Sequence, residues 1–377
     1  MKILQLVKTS NGGGWAVQQM RVLVSEGYEV HVAMPVGGKY MDDYKKYGII
    51  IHPINYSLGT LGKSIRALRK IVDEVKPDII HSHFVITTII MRLGLRKYKI
   101  PRLFQLPGPG HLRYSLVKKL DIGVAQKDKD FWAGACQKSC DEYLNSGIDP
   151  NRVFLAYYQG SPEEIIIYND EKKLRRELGL ADDAIMIGMI SYMYPPKWYV
   201  GETRGIKGHE DFIEAIAIAS KANPNIYGLC IGGAWQGHVR YEKRIHEFAK
   251  KRTDHIIFCG TRKNVPQIYP ELFCAVQPSH TENLGGAAQA FQHDCPVIAT
   301  NTGGLPDIVI DGVTGYLVPV KDSKALAEAI LKMVANPQNA KAMALKGKEH
   351  YAKLKEENNG SIERIYAKMV EHSKNQV

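Results

Sequence analysis

Short apolar runs alternate with stretches of helical periodicity along almost the whole chain, and that alternation limits the fold more than any other feature. In the first half the strand candidates are 2–7, 29–35, 49–54, 78–83, 102–107, 121–126 and 153–158. Helical patterns fill 15–26, 61–75, 86–97 and 129–145. Strands that alternate with helices specify a parallel sheet covered on both faces. The second half repeats the scheme, with strands at 185–191, 226–232, 255–260, 273–277, 296–300 and 314–318. Its helices fall at 208–221, 239–252, 285–293, 323–335 and 337–354. Between the halves, 159–178 lacks a clean period and reads as a linker. The expected fold is α/β, with one α/β/α domain at 1–165 and a second at 166–355. A last helix follows within 356–377. The 377 residues suit two such domains, and two facing domains make a cleft for a ligand.

In parallel sheets ligands bind beyond the carboxyl ends of the strands, so the residues just after each strand matter most. After the first strand comes Asn11-Gly12-Gly13-Gly14-Trp15. Val17 stands where a dinucleotide fingerprint needs its third glycine, and Ala33-Met34-Pro35 supplies no acid after strand two. NAD binding is therefore not expected. A glycine turn approached by a phosphate and a plain tight turn both stay open. His81-Ser82-His83 puts two imidazoles on one face of a strand end, but no third metal ligand is evident. Pro107-Gly108-Pro109-Gly110-His111 is a stiff loop that presents a histidine either to a cleft or to water. Asp128-Lys129-Asp130 sits at an expected helix start, where acids serve as caps.

The second half carries the strongest signal, Pro278 to Gly304. The apolar run Leu272-Phe273-Cys274-Ala275-Val276 is followed by Glu282, then by Asn283, Leu284, Gly285 and Gly286 opening a helix. Glycines let the backbone approach a ligand, and free N–H groups at a helix start favour an anion. Glu282 would repel a phosphate but accepts hydrogen bonds from hydroxyls. Phosphate plus hydroxyls describes a nucleotide-activated sugar; an ordinary strand–turn–helix connection is the alternative. The 191–209 loop is long, aromatic and rich in Gly and Pro, and its Lys197, Arg204 and Lys207 suit a diphosphate. Gly232-Gly233-Ala234-Trp235-Gln236-Gly237 is not a P-loop, because His238-Val239 replaces the Lys-Ser/Thr pair.

The formal net charge is +11, and residues 1–165 hold 23 Lys/Arg against 15 Asp/Glu, so +8 of it lies there. An anionic membrane surface or a phosphorylated substrate would meet such a face. Lys63, Arg66, Arg69 and Lys70 flank the apolar Leu61, Ile65, Leu68 and Ile71 at helical spacing; Arg92, Arg96, Lys97, Lys99 and Arg102 follow. That pattern fits a membrane-surface helix or an amphipathic helix lying on a sheet. Nucleic acid is not an expected partner, since no aromatic platform or recognition motif accompanies the cations. Cys136 and Cys140 lack a zinc complement, and the other four cysteines lie in or beside apolar runs as free thiols. No signal peptide or spanning segment is read, so the expected location is cytoplasmic, peripheral on the inner face of the cell membrane.

Taken in order, Lys207-Gly208-His209, Gly260-Thr261-Arg262, Pro278-Ser279 with Glu282, Pro296-Val297-Ile298-Ala299-Thr300 with Gly303-Gly304, and Asp311-Gly312 with Gly315 form a set. It resembles the family 4 (group 1) retaining glycosyltransferases of the GT-B fold, over the whole second half and more loosely over the first. The resemblance implies two Rossmann-like domains and a nucleoside-diphosphate sugar donor, foremost a UDP-sugar, held mainly by the second. Lys207, with Arg204 or Lys197, would hold the diphosphate. Arg262 would flank the base, Glu282 would meet sugar hydroxyls, and the Asn283, Leu284, Gly285 and Gly286 backbone would meet phosphate and sugar. Gly13 and Gly14 would close over the phosphates, and His111 would sit near the transferred sugar. His111, Lys207 and Glu282 are thus the catalytic candidates. No metal or other cofactor is implied, and the last helix would cross back to the first domain. The expected product is a hexosyl or N-acetylhexosaminyl unit added to a glycan or lipid-linked acceptor in cell-surface polysaccharide, such as lipopolysaccharide.

The chain departs from the family pattern at Gln289, where members carry a second Glu for the ribose hydroxyls, and at Glu202, where they carry an Arg. Gln accepts more weakly than a carboxylate. A sugar-nucleotide-binding protein with weak or lost catalysis therefore stays open, as does a sugar-nucleotide epimerase of the same build.

Overall fold

The computed structural model describes residues 1–106, 108, 112, 114–158, 173–198 and 201–374. The chain divides into two units, Met1–Glu163 with Glu357–Val377, and Glu164–Glu356. Unit 1 runs β1 (Lys2–Leu6), α1 (Gly14–Ser25), β2 (Glu29–Met34), α2 (Met41–Lys46), β3 (Ile50–Pro53), α3 (Leu61–Val75) and β4 (Ile79–Ser82). It continues through α4 (Val85–Gly94), β5 (Arg102–Leu106), α5 (Ser115–Gly123), β6 (Asp130–Gly134), α6 (Gln137–Leu144) and β7 (Val153–Leu155). Its sheet has the order β3-β2-β1-β4-β5-β6-β7 and is parallel throughout.

Unit 2 begins with α7 (Lys173–Glu177), β8 (Ile185–Ile190), α8 (His209–Ala222), β9 (Ile226–Ile231), α9 (Val239–Lys250), β10 (Ile256–Gly260) and β11 (Cys274–Gln277). It goes on through α10 (Gly285–Gln292), β12 (Val297–Thr300), α11 (Leu305–Ile308), β13 (Tyr316–Val318), α12 (Ser323–Val334) and α13 (Pro337–Asn358). Its parallel sheet has the order β10-β9-β8-β11-β12-β13. The last helix, α14 (Ser361–Lys374), belongs to unit 1. Its Ile362, Ile365, Tyr366 and Met369 form one stripe at helical spacing, buried in the same cluster as Ile3, Val17 and Phe131. Each such side chain contributes about 1.5–3 kcal/mol by leaving water.

One expected strand and one expected helix are exchanged. Residues 121–126 do not form a strand; Ser115–Gly123 is helix α5, and the strand β6 lies inside the expected helix 129–145. The reason is a buried charge. Asp130 opens β6 at 0% exposure, so the strand does not read as apolar. Meanwhile Ile122, Val124 and Ala125, which make 121–126 look like a strand, lie at the end of α5 and in the turn after it, with Ile122 and Ala125 packed beside Phe104 and Trp132.

Asp130 is buried because it anchors an ion cluster. It accepts from Arg102 at 2.6 Å and from the Gln126 backbone N–H at 2.6 Å. Arg92 Nε lies 3.4 Å from its other oxygen, and Arg92 also pairs with Asp121. Arg92 and Arg102 are thus interior side chains, not part of a cationic surface. Lys63, Arg66, Arg69, Lys70, Arg96, Lys97 and Lys99 are exposed, and Arg69 Nε donates to the Gly94 carbonyl at 2.8 Å. The apolar stripe of α3 faces the sheet, with Leu68 and Ile71 buried and Leu61 and Ile65 packed against the same cluster. It is therefore not available to lie in a bilayer, and the outward face carries Lys63, Arg66, Arg69 and Lys70 together with Asp73 and Glu74. Among the described residues no helix is long and apolar enough to cross a membrane.

His81 and His83 sit at the end of β4, where the strand order of unit 1 reverses between β1 and β4. Both are fully buried, with rings 4.2 Å apart. His81 Nδ1 bonds the Tyr366 hydroxyl at 2.7 Å, and Gln5 Nε2 donates to the same hydroxyl at 3.1 Å. His83 Nε2 donates to Gln5 Oε1 at 2.6 Å, and its Nδ1 meets the Tyr158 hydroxyl at 2.9 Å. The pair thus ties the first strand to the last helix. Among the described residues no group of three or more His, Cys, Asp and Glu is placed to hold a metal ion. Burial lowers the His83 pKa from 6.5 to about 3. The unfolded chain therefore binds a proton that the folded chain refuses between those values. Stability should be full above about pH 6.5 and fall by up to about 1.4 kcal/mol per pH unit below it. Melting temperatures of the full chain and of His83→Gln from pH 7.5 to 4.5 check this; the variant, lower at pH 7.5, should show the shallower acid slope.

Candidate active site

In unit 2 the strand order reverses between β8 and β11, so the loops that follow these strands diverge around a crevice, the usual ligand position in such sheets. Lys207 ends the β8 loop and Glu282 lies in the β11 loop. The two side chains form an ion pair at 21% and 14% exposure. Sequence reasoning assigned one to phosphate and the other to hydroxyls; the structure brings them together.

Glycines make this meeting possible. Gly208 has φ +77, and a Cβ there would lie 2.0 Å from the Pro278 carbonyl oxygen, so the β8 and β11 loops touch backbone to backbone. Gly303 has φ +60, and a Cβ would lie 1.8 Å from the Glu282 carbonyl oxygen. No other residue fits either place. Gly304 N–H donates to that same carbonyl at 3.2 Å, and His280 N–H donates to the Ile206 carbonyl at 2.8 Å. The Glu282 carboxylate also accepts from Ser279 Oγ at 3.3 Å and from the Asn283 N–H at 3.1 Å. Leu284 is the buried N-cap of α10, which has no side-chain cap, and Gly285 and Gly286 form its first turn. That leaves α10's first N–H groups beside the Glu282 carboxylate.

Two of the other candidate cations are held by acids. Arg204 is committed to acids: it pairs with Asp211 and forks onto Glu214 at 2.8 and 2.9 Å. It braces the start of α8. Lys197 is exposed, with its backbone N–H donating to Glu202 at 2.9 Å. Arg262 bonds Glu177 at 2.6 and 2.9 Å and the Cys259 carbonyl at 2.9 Å. Gln289 accepts from the Tyr269 hydroxyl at 3.3 Å. Gly13 caps α1 with φ +86, and a Cβ on Gly14 would lie 2.9 Å from the Tyr40 hydroxyl; both belong to unit 1. His111 lies outside the described residues.

Several residues of the site carried no assigned role in the sequence. His280 Nε2 bonds Asp211 Oδ2 at 2.6 Å, joining the β11 loop to α8. His209 opens α8 fully buried, its pKa lowered to about 4 by burial, so it is neutral beside Lys207. The Lys207 ammonium lies 5.6 Å above the Tyr194 ring, and Tyr194 stacks on Trp235. Burial first, and then the charge of Glu282, push the Tyr194 hydroxyl up to about 12. The aromatic richness of the 191–209 loop was the available signal for Tyr194.

The sheet orders, the switch-point site and the glycine contacts define a GT-B architecture, and solved structures share it. HepE of Anabaena, crystallised with UDP-glucose, superposes with a TM-score of 0.78 over 97% of this chain and 100% of that one, at 20% identity. Residues 194–350 match the family "Glycosyl transferases group 1", and residues 2–111 match "Glycosyl transferase 4-like". The chain belongs to the group 1 glycosyltransferases. A D-inositol 3-phosphate glycosyltransferase of Actinosynnema mirum is 22% identical over 71% of this chain and 66% of that protein. The lipopolysaccharide core biosynthesis mannosyltransferase LpsB of Rhizobium meliloti is 26% identical over 46% of this chain and 51% of that protein. The chain spans about two thirds of the length of the inositol-phosphate relatives it matches.

Proposed function

We propose that this protein transfers a sugar, with retention of anomeric configuration, from a nucleoside-diphosphate sugar to a glycan or lipid-linked acceptor. The observation that carries the reading is the Lys207–Glu282 pair at the switch point, beside the uncapped start of α10. Without ligand the two charges neutralise each other. An incoming diphosphate takes Lys207 and the α10 N–H groups, which frees the Glu282 carboxylate to accept hydrogen bonds from sugar hydroxyls. The C1–O bond to the diphosphate breaks while the acceptor oxygen bonds C1 from the same face. The acceptor proton leaves on the diphosphate, whose growing charge Lys207 offsets. No side chain needs to act as nucleophile and no metal is needed in this scheme.

UDP is the proposed nucleotide, supported by the UDP-glucose complex of HepE. A role in cell-surface polysaccharide is supported by the likeness to LpsB. The exposed Lys63, Arg66, Lys70, Arg96, Lys97 and Lys99 suit an anionic membrane surface. The test is to incubate the protein with UDP-glucose, UDP-N-acetylglucosamine or UDP-galactose and an acceptor glycolipid and follow the anomeric proton by NMR. An α-linked product from an α-linked donor supports the reading. A β-linked product removes retention, and nucleotide release without any glycoside favours weak or lost transfer.

A further inference from the structure

The ion pair of the donor site runs directly into an aromatic plane. Tyr194 and Trp235 stack with centroids 4.5 Å apart and planes 23° apart. Tyr192, 43% exposed, leans on the same indole at 5.5 Å and 59°. Glu282, Lys207, Tyr194 and Trp235 therefore follow one another as a hydroxyl acceptor, a cation and two rings. The backbone is built to hold this. Beyond the sheet, β8 and β9 extend through a bridge between Met193 and Ala234. Met193 N–H donates to the Gly233 carbonyl at 2.9 Å, and Trp235 N–H donates to Met193 at 3.3 Å. Gly232, at φ +137, lets the two segments close, since a Cβ there would lie 2.1 Å from the Ser191 carbonyl oxygen. Gln236 takes φ +46, a left-handed conformation costly for a residue with a side chain, immediately after the tryptophan.

We propose that Trp235, backed by Tyr194, is the stacking platform for the flat base of the nucleoside diphosphate. The inference rests on the donor reading above and assigns its base contact. The family resemblance implies that Arg262 and its neighbours flank the base; in the structure the Arg262 guanidinium pairs with Glu177. A nucleoside diphosphate carries an anion and a planar ring joined by a ribose. The protein offers a cation and an indole separated by one tyrosine ring. Stacking tolerates any base because every base has a π-face, so Trp235 supplies affinity for the nucleoside half and leaves base identity to other contacts.

The test titrates the full chain, Trp235→Ala and Trp235→Phe with UDP, inorganic pyrophosphate and glucose 1-phosphate by calorimetry. Trp235→Ala should weaken UDP about 5- to 100-fold and leave pyrophosphate unchanged, and Trp235→Phe should restore most of the loss. Unchanged UDP binding, or an equal loss of UDP and pyrophosphate, overturns the assignment. So does weakening confined to glucose 1-phosphate, which would place the sugar on the indole. If the unaltered chain binds no nucleotide at all, the donor reading fails and this inference fails with it.

Discussion

Replacing Lys207 by alanine should lower kcat/KM for sugar transfer by about 100- to 1,000-fold, the usual consequence of removing one preorganised group that offsets leaving-group charge. The effect has two parts. The cation facing the diphosphate is lost, and Glu282 is left without its counter-charge, repelling the incoming phosphates. Folding stability should change little, because the pair is partly exposed at 21% and 14% and such pairs are worth about 1 kcal/mol or less. The two parts separate in a double-mutant cycle. Lys207→Ala with Glu282→Gln should regain part of the nucleotide affinity that Lys207→Ala loses, since the repulsion is gone, and should regain no turnover. Steady-state kinetics and calorimetry on the four proteins measure both. Additive losses in binding would mean that the two groups do not act on the same ligand.

Asp130→Ala should be the most damaging single change to unit 1. The carboxylate is fully buried and serves Arg102, Arg92 and the Gln126 N–H at once. Its removal leaves buried guanidinium charge without compensation, which typically costs about 3–5 kcal/mol. At about 2–4 °C per kcal/mol for units of this size, the melting temperature should drop by about 6–20 °C. Asp130→Asn, which keeps the shape and one acceptor, should fall between. Calorimetric melting of the three proteins checks the order. A shift under about 2 °C for Asp130→Ala would show that the cluster is hydrated and contributes little.

Both predictions depend on features of different legibility. The strands and long helices of unit 2 lie where the apolar periods put them, whereas the short α7, inside the stretch read as a linker, and α11 are not among the expected elements. Its central strands are buried apolar runs, such as Val297–Thr300 directly after Pro296. Unit 1 defied the same logic at β6, because Asp130, Arg92 and Arg102 reverse the rule that charges lie outside. Three charges whose partners come from α4, β5, α5 and β6 are legible only after the fold is known. The candidate site divides in the same way. The glycine turn at Gly285 and Gly286 and the lone acid before it are local, so sequence exposes them. The Lys207–Glu282 pairing spans 75 residues and exists only because β8 lies beside β11. Arg204 looked like a free cation because its partners, Asp211 and Glu214, also suit the first turns of a helix. The Tyr194–Trp235 stack joins two loops that neither sequence segment links to the other.

The most direct test of the account is a titration of the purified chain with UDP, GDP, ADP and their glucose conjugates, followed by the melting temperature and confirmed by calorimetry. A ligand that binds only the folded state raises the melting temperature by mass action. A clear rise is expected with UDP and a larger one with UDP-glucose or another UDP-sugar, with both rises lost in Lys207→Ala. A protein whose melting temperature ignores every nucleotide, or responds equally with and without Lys207, would contradict the assignment of the β8–β11 crevice as a sugar-nucleotide site.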